Sequence, residues 1–138
     1  MRTKALLITI VVVLALWAYW MFSNNSKTSF EFAPATATQE ERMASYNSFL
    51  ERAVEGDRIE VNGCDSNPAV LKLKIGGSFQ VVNVGDRYTI FRVGGLTSPV
   101  KASESVTFQP EFKKGPGVYG YDCPARPGEI IGVVVVTP

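Results

Sequence analysis

Eighteen consecutive residues without a formal charge, Ala5 to Phe22 (ALLITIVVVLALWAYWMF), constrain everything that follows them. A chain of 138 residues has material for one compact core, and a run this apolar does not fit into a small soluble domain. As a helix rising 1.5 Å per residue, about 18 to 20 residues cross a hydrocarbon layer of roughly 30 Å. Residues 5–22 are therefore read as a transmembrane helix. Arg2 and Lys4 precede the run, and Trp17, Tyr19 and Trp20 gather near its far end, where amphipathic rings favour the interface. That asymmetry places residues 1–4 in the cytoplasm and the remainder outside, as a single-pass protein of the cell membrane. A cleaved leader shares the charged start and apolar middle. Here, however, Trp20, Met21 and Phe22 stand where a signal peptidase takes small residues, and A-x-A spacings occur only at Ala33–Ala35 and Ala35–Ala37. The flank favours an uncleaved signal-anchor.

Residues 23–37, rich in Asn, Ser, Thr and Ala, lack either apolar period and read as a linker that stands a domain off the bilayer. Thr38-Gln39-Glu40-Glu41 fits a capping box, in which the Thr hydroxyl takes one free amide and Glu41 reaches back to another. A short amphipathic helix is expected over 38–56. Met43, Tyr46, Phe49, Leu50, Ala53 and Val54 form its apolar stripe and Gly56 its stop, with the stripe packed on the sheet of its own domain. From Arg58 the period changes to two, and β-branched residues, glycines and prolines dominate. Strands are expected near 58–62, 69–75, 78–83, 88–93, 105–108, 117–122 and 130–136, with tight turns at Gly76-Gly77 and Gly94-Gly95. Seven short strands at this spacing predict a mainly β domain over 57–138, an antiparallel sandwich. Val133 to Val136 reads as a central strand buried on both faces.

Charge and chemistry narrow the function classes. Fourteen Lys and Arg nearly balance 13 Asp and Glu, without a basic block, so nucleic acid is not an expected partner. The chain has no histidine, which removes the commonest general base and transition-metal ligand. Asp57, Glu60 and Asp65 cluster in sequence, but nothing in their spacing makes an acid and base pair. No catalytic constellation is recognisable, and an enzyme is not expected. Lys113-Lys114 is too small a patch to define an anionic partner and reads as a solvated turn.

Cys64 and Cys123 are the only cysteines, and both fall on the side of the anchor placed outside. A bond between them would close a loop of about 59 residues and contribute roughly 4 kcal/mol in the chain-entropy picture. A thiolate metal site or a reactive thiol is the alternative. Zinc or copper would need partners that a chain without histidine, and with only Met43 beyond the anchor, does not supply. Thiol exchange usually employs a C-x-x-C pair, which is absent.

Gly117-Val118-Tyr119-Gly120-Tyr121-Asp122-Cys123, followed by Gly132-Val133-Val134-Val135-Val136, resembles the C-terminal end of a cupredoxin. Upstream, Pro68-Ala69-Val70-Leu71-Lys72-Leu73-Lys74-Ile75-Gly76-Gly77 and Val81-Val82-Asn83 resemble that family's P-x-x-L-x-V-x-x-G-D stretch and the strand that follows it. The resemblance covers residues 58–138 and implies a Greek-key sandwich with metal-binding loops at one end. It also implies a blue-copper site, and here the sequence departs. Past Asn83 the chain reads Gly85-Asp86-Arg87-Tyr88-Thr89 where the family has its first histidine. Arg126 takes the place of the second histidine and Ile130 that of the axial methionine, so of the ligand set only Cys123 survives. No cofactor is expected. The family's topology would bring Cys64 to the same end as Cys123, so the resemblance also implies that a disulfide replaces the metal as the tie.

Asp65, Arg87, Tyr88, Arg126 and Glu129 then remain on the loops of that end and are the candidate recognition residues. The expectation is a metal-free structural or interaction module whose partner is another envelope or membrane protein. Its competitor is a copper-binding or electron-transfer protein that uses Cys123 with ligands lent by a partner.

Overall fold

Residues 30–138 are described by the computed structural model. The segment expected in the cytoplasm (1–4), the expected anchor (5–22) and residues 23–29 of the expected linker lie outside them. No helix among the described residues is long and apolar enough to cross a membrane.

The helix, α1 (Gln39–Arg52), begins as its capping box dictates. Thr38 accepts the Glu41 amide, and the Glu41 carboxylate takes the Thr38 amide at 2.7 Å. It ends at Arg52 and not at Gly56. Val54–Glu55 instead forms a two-residue strand, β1, that pairs with residues 71–72, since backbone groups past Ala53 find partners in the sheet. Met43 and Val54 are consequently exposed, whereas Phe49 is buried and Tyr46, Leu50 and Ala53 are partly so. Residues 30–37, expected as linker, are part of the packed domain: Phe30 and Phe32 lie against the Phe49 ring at 6.2 and 5.5 Å, and Ala37 is buried.

Nine strands follow β1: β2 (Arg58–Asn62), β3 (Asp65–Asn67), β4 (Val70–Lys74), β5 (Phe79–Asn83), β6 (Thr89–Val93), β7 (Leu96–Val100), β8 (Ser105–Phe108), β9 (Gly117–Cys123) and β10 (Arg126–Thr137). One sheet has the order β1-β4-β10-β9, the second β3-β2-β5-β8, and β6 and β7 form a separate hairpin. All seven expected strands are present; β1, β3 and β7 are additional. The sheets are mixed, not antiparallel throughout: β1 with β4, β4 with β10 and β2 with β5 all run parallel. This follows because Gly76-Gly77 does not close a hairpin. It sends the chain from β4 in one sheet to β5 in the other. Gly94 and Gly95, at φ of 56° and 86°, do close the β6–β7 hairpin, with both central residues in the region that a type I′ turn requires.

The run Val133–Val136 is fully buried, as its composition predicts. Val133 and Val135 face Phe49 and Val70 under the helix, while Val134 and Val136 face the interior between the sheets. There they meet Ile59, Val61, Leu71 and Val81 and an aromatic cluster. Phe91 lies 5.1 Å from Phe108 and 4.7 Å from Tyr121, centroid to centroid. Each fully buried valine contributes about 1.5 to 3 kcal/mol of transfer free energy, so the helix and both sheets are joined through this one strand.

Tyr121 is the polar member of that interior. Its hydroxyl donates to Ser66 Oγ at 3.1 Å, and Ser66 in turn donates to the Ile131 carbonyl at 2.8 Å. Burial pushes the phenol up to about 12, with the Ser66 hydrogen bond pulling weakly the other way. The unfolded phenol ionises near pH 10 while the folded one keeps its proton, so this stabilisation is complete below about pH 10 and is lost as pH rises towards about 12. The loss should reach roughly 3 kcal/mol at 1.36 kcal/mol per unit. Urea midpoints measured across that range should fall less steeply for Tyr121→Phe; an unchanged slope would show that the phenol does not drive it.

Candidate functional site at the disulfide end

The β2–β3 turn, the segment after β5, the segment before β8 and the β9–β10 turn all lie at one end of the sandwich. Cys64, in the first of these, is bonded to Cys123 at the end of β9, with a Cα–Cα distance of 5.1 Å. The pairing implied by the sequence is present, and it ties the two sheets together where they would otherwise splay.

Asn83 holds the neighbouring loops and, beside Tyr121 and its hydroxyl, is the buried polar residue among those described. Its amide donates to the carbonyls of Arg87 at 2.6 Å and Val100 at 3.0 Å, and its side-chain oxygen accepts the Gly85 amide at 3.0 Å. Its backbone adds bonds to Glu104 and Ser103. Every polar atom of the side chain is used. Asn83→Ala should therefore cost about 2 to 3 kcal/mol, because it leaves buried carbonyls without a donor. A denaturation midpoint within a few tenths of a kcal/mol of the parent would contradict this. In the sequence, Asn83 marks only the end of a strand. A polar residue closing an alternating apolar run was the available signal.

The candidate recognition residues divide between two depressions on either side of the disulfide. Asp65, Arg126 and Glu129 line one, of about 380 Å³, together with Phe30, Cys64 and Ile130. Arg87 and Tyr88 line the other, of about 400 Å³, with Asn62, Pro124 and Ala125. Arg126 and Glu129, both in the first residues of β10 and not on a loop, form an exposed ion pair at 3.1 Å. Tyr88 is 69% exposed. Asp57 and Glu60 are not part of this end: the Asp57 carbonyl accepts the Gln80 amide, and Glu60 pairs with Arg58 at 2.7 Å. Elsewhere, the Lys72 ammonium, paired with Glu55 across β1 and β4, donates to its carboxylate and holds it below its ordinary value.

Neither a protein-family model nor a curated protein matches the sequence. Solved structures do. A copper-containing nitrite reductase of Thermus scotoductus superposes with a TM-score of 0.50 at 14% identity, over 64% of this chain and 29% of its own. This chain thus corresponds to less than a third of that enzyme. The fold is cupredoxin-like. A purple cupredoxin from Nitrosopumilus maritimus aligns over 59% of this chain and all of its own length, at 20% identity and a TM-score of 0.49. An oxidised amicyanin variant aligns over 80% and 95%, at 16% identity and 0.47.

The residues at the disulfide end of this cupredoxin-like domain do not fit a copper ion. The Cys123 sulfur is bonded to Cys64, and the chain has no imidazole to offer. Arg126 lies in the solvent, and Ile130 packs under the helix with Phe49 and Val133. Among the described residues, no group of three or more His, Cys, Asp and Glu side chains is arranged to hold a metal.

Proposed function

We propose that the chain is a membrane-anchored, extracytoplasmic module in which a cupredoxin-like sandwich serves as a rigid recognition scaffold and not as a metal carrier. The observation that carries this reading is the Cys64–Cys123 bond, which consumes both thiolates the chain could bring to a metal at that end. What remains there is a pair of solvent-facing depressions with charged rims, on loops that Asn83 and the disulfide hold still. Loops fixed on a sandwich are suited to binding, since their ordering cost is met before a partner arrives. The apolar run at 5–22 and its flanks support the placement at the membrane, with the domain outside, where disulfides persist. The partner class is another envelope or membrane protein.

The test is an intact-mass, thiol-labelling and metal assay on the full chain, purified in detergent from an oxidising compartment supplied with copper. The expected result is no labelled thiol and no retained copper. Free thiols with stoichiometric copper would replace this reading with metal handling.

A further inference from the structure

We infer that the disulfide end of the sandwich faces the lipid headgroups of the host bilayer, and that its two depressions act at that surface; this rests on the membrane-anchored reading given above. The argument is one of reach. If the chain leaves the hydrocarbon at Phe22, the linker read over 23–37 would allow the domain to stand well clear. The structure shortens it, because from Phe30 onward the chain is packed on α1 and the β1-β4-β10-β9 sheet. Only residues 23–29 remain, which span at most about 25 Å at 3.3 to 3.6 Å each.

The point of attachment matters as much as the length. Phe30 lines the same depression as Cys64, Asp65 and Arg126, so the tether joins the domain at its disulfide end. The opposite end carries the Gly76-Gly77 turn, beside which the Ile75 amide donates to the Thr137 carbonyl, and Gly115, whose carbonyl accepts the Tyr119 hydroxyl. From Ile130 to Thr137 along β10 is roughly 23 Å at 3.3 Å per residue, which sets the far end that much further out. A tether about as long as that strand, fixed to one end, turns that end inward. The chemistry there suits a zwitterionic headgroup layer: Asp65, Arg87, Arg126 and Glu129 provide both signs of charge, and the exposed ring of Tyr88 is of the kind that settles at membrane interfaces.

The test uses the full chain in phosphatidylcholine nanodiscs doped with a gadolinium-chelating lipid. Paramagnetic broadening of backbone amides is read at Asp65, Ala125 and Glu129 against Gly76, Gly77 and Gly115. Broadening several-fold stronger at the first set is expected. It should weaken when ten Gly and Ser residues are inserted between Asn25 and Ser26. Equal broadening at both ends, or stronger broadening at the glycine turns, would overturn the orientation while leaving the anchor intact. A chain that does not incorporate into nanodiscs would overturn the anchored reading and the orientation with it.

Discussion

Cys64→Ser should lower the stability of residues 30–138 by about 2 to 5 kcal/mol, the range found when a native disulfide is removed from a small domain. The bond spans 59 residues of sequence, and the chain-entropy relation gives about 4 kcal/mol for a loop of that length. Here the loop contains β3 to β8 and much of β9, nearly the whole second sheet and the β6–β7 hairpin, so the reduced unfolded chain gains freedom throughout the domain. Urea unfolding of the parent under oxidising conditions, beside the serine variant, measures the difference. A loss below about 0.5 kcal/mol would mean that the tie is redundant with the β4–β10 pairing. The same titration on reduced parent separates the bond from the substitution, since both should then unfold together.

The second large effect is expected at Gly132, in the irregular stretch of β10 opposite Tyr121. A Cβ built there falls on the Tyr121 hydroxyl and ring edge. The ring has no room to withdraw, being 1% exposed and packed against Phe91. Gly132→Ala should therefore cost about 3 kcal/mol or more, at the upper end of what overpacking a core usually costs. If the overlap is the cause, Gly132→Ala with Tyr121→Leu should be less destabilised than the two single changes sum to. Strict additivity would point to backbone conformation instead.

Much of this fold was legible because short-range chemistry and long-range packing agree. Thr38 and Glu41 announce the helix start, the Val133–Val136 run announces a strand covered on both sides, and Gly94-Gly95 announces a hairpin. The misreadings occur where tertiary partners outweigh local pattern. Ala53 continues the apolar stripe, yet Val54 and Glu55 leave the helix because β4 presents an unpaired edge. β7 escapes notice because Pro99 and small polar residues give no alternation, and β3 because Asp65-Ser66-Asn67 reads as a turn. Parallel pairing is invisible to periodicity, which fixes faces but not neighbours. At the candidate site the disulfide could be anticipated; that Asp65 lies in β3 and Arg126 and Glu129 in β10 and not on loops, and that they line a different depression from Arg87 and Tyr88, could not. Phe30 lay inside a stretch that composition marks as a spacer, and only packing against Phe49 makes it part of the domain.

The parallel pairing of β4 with β10 also bears on the order in which the domain assembles. Val70 registers with Val133, so β4 waits on that side for a partner synthesised some sixty residues later, and such non-local closures are slow. Cys123 precedes β10 in the chain, so oxidation can clamp the β2–β3 turn to the end of β9 while β4 still has an open edge. A bond formed at that stage would hold the slot into which β10 inserts.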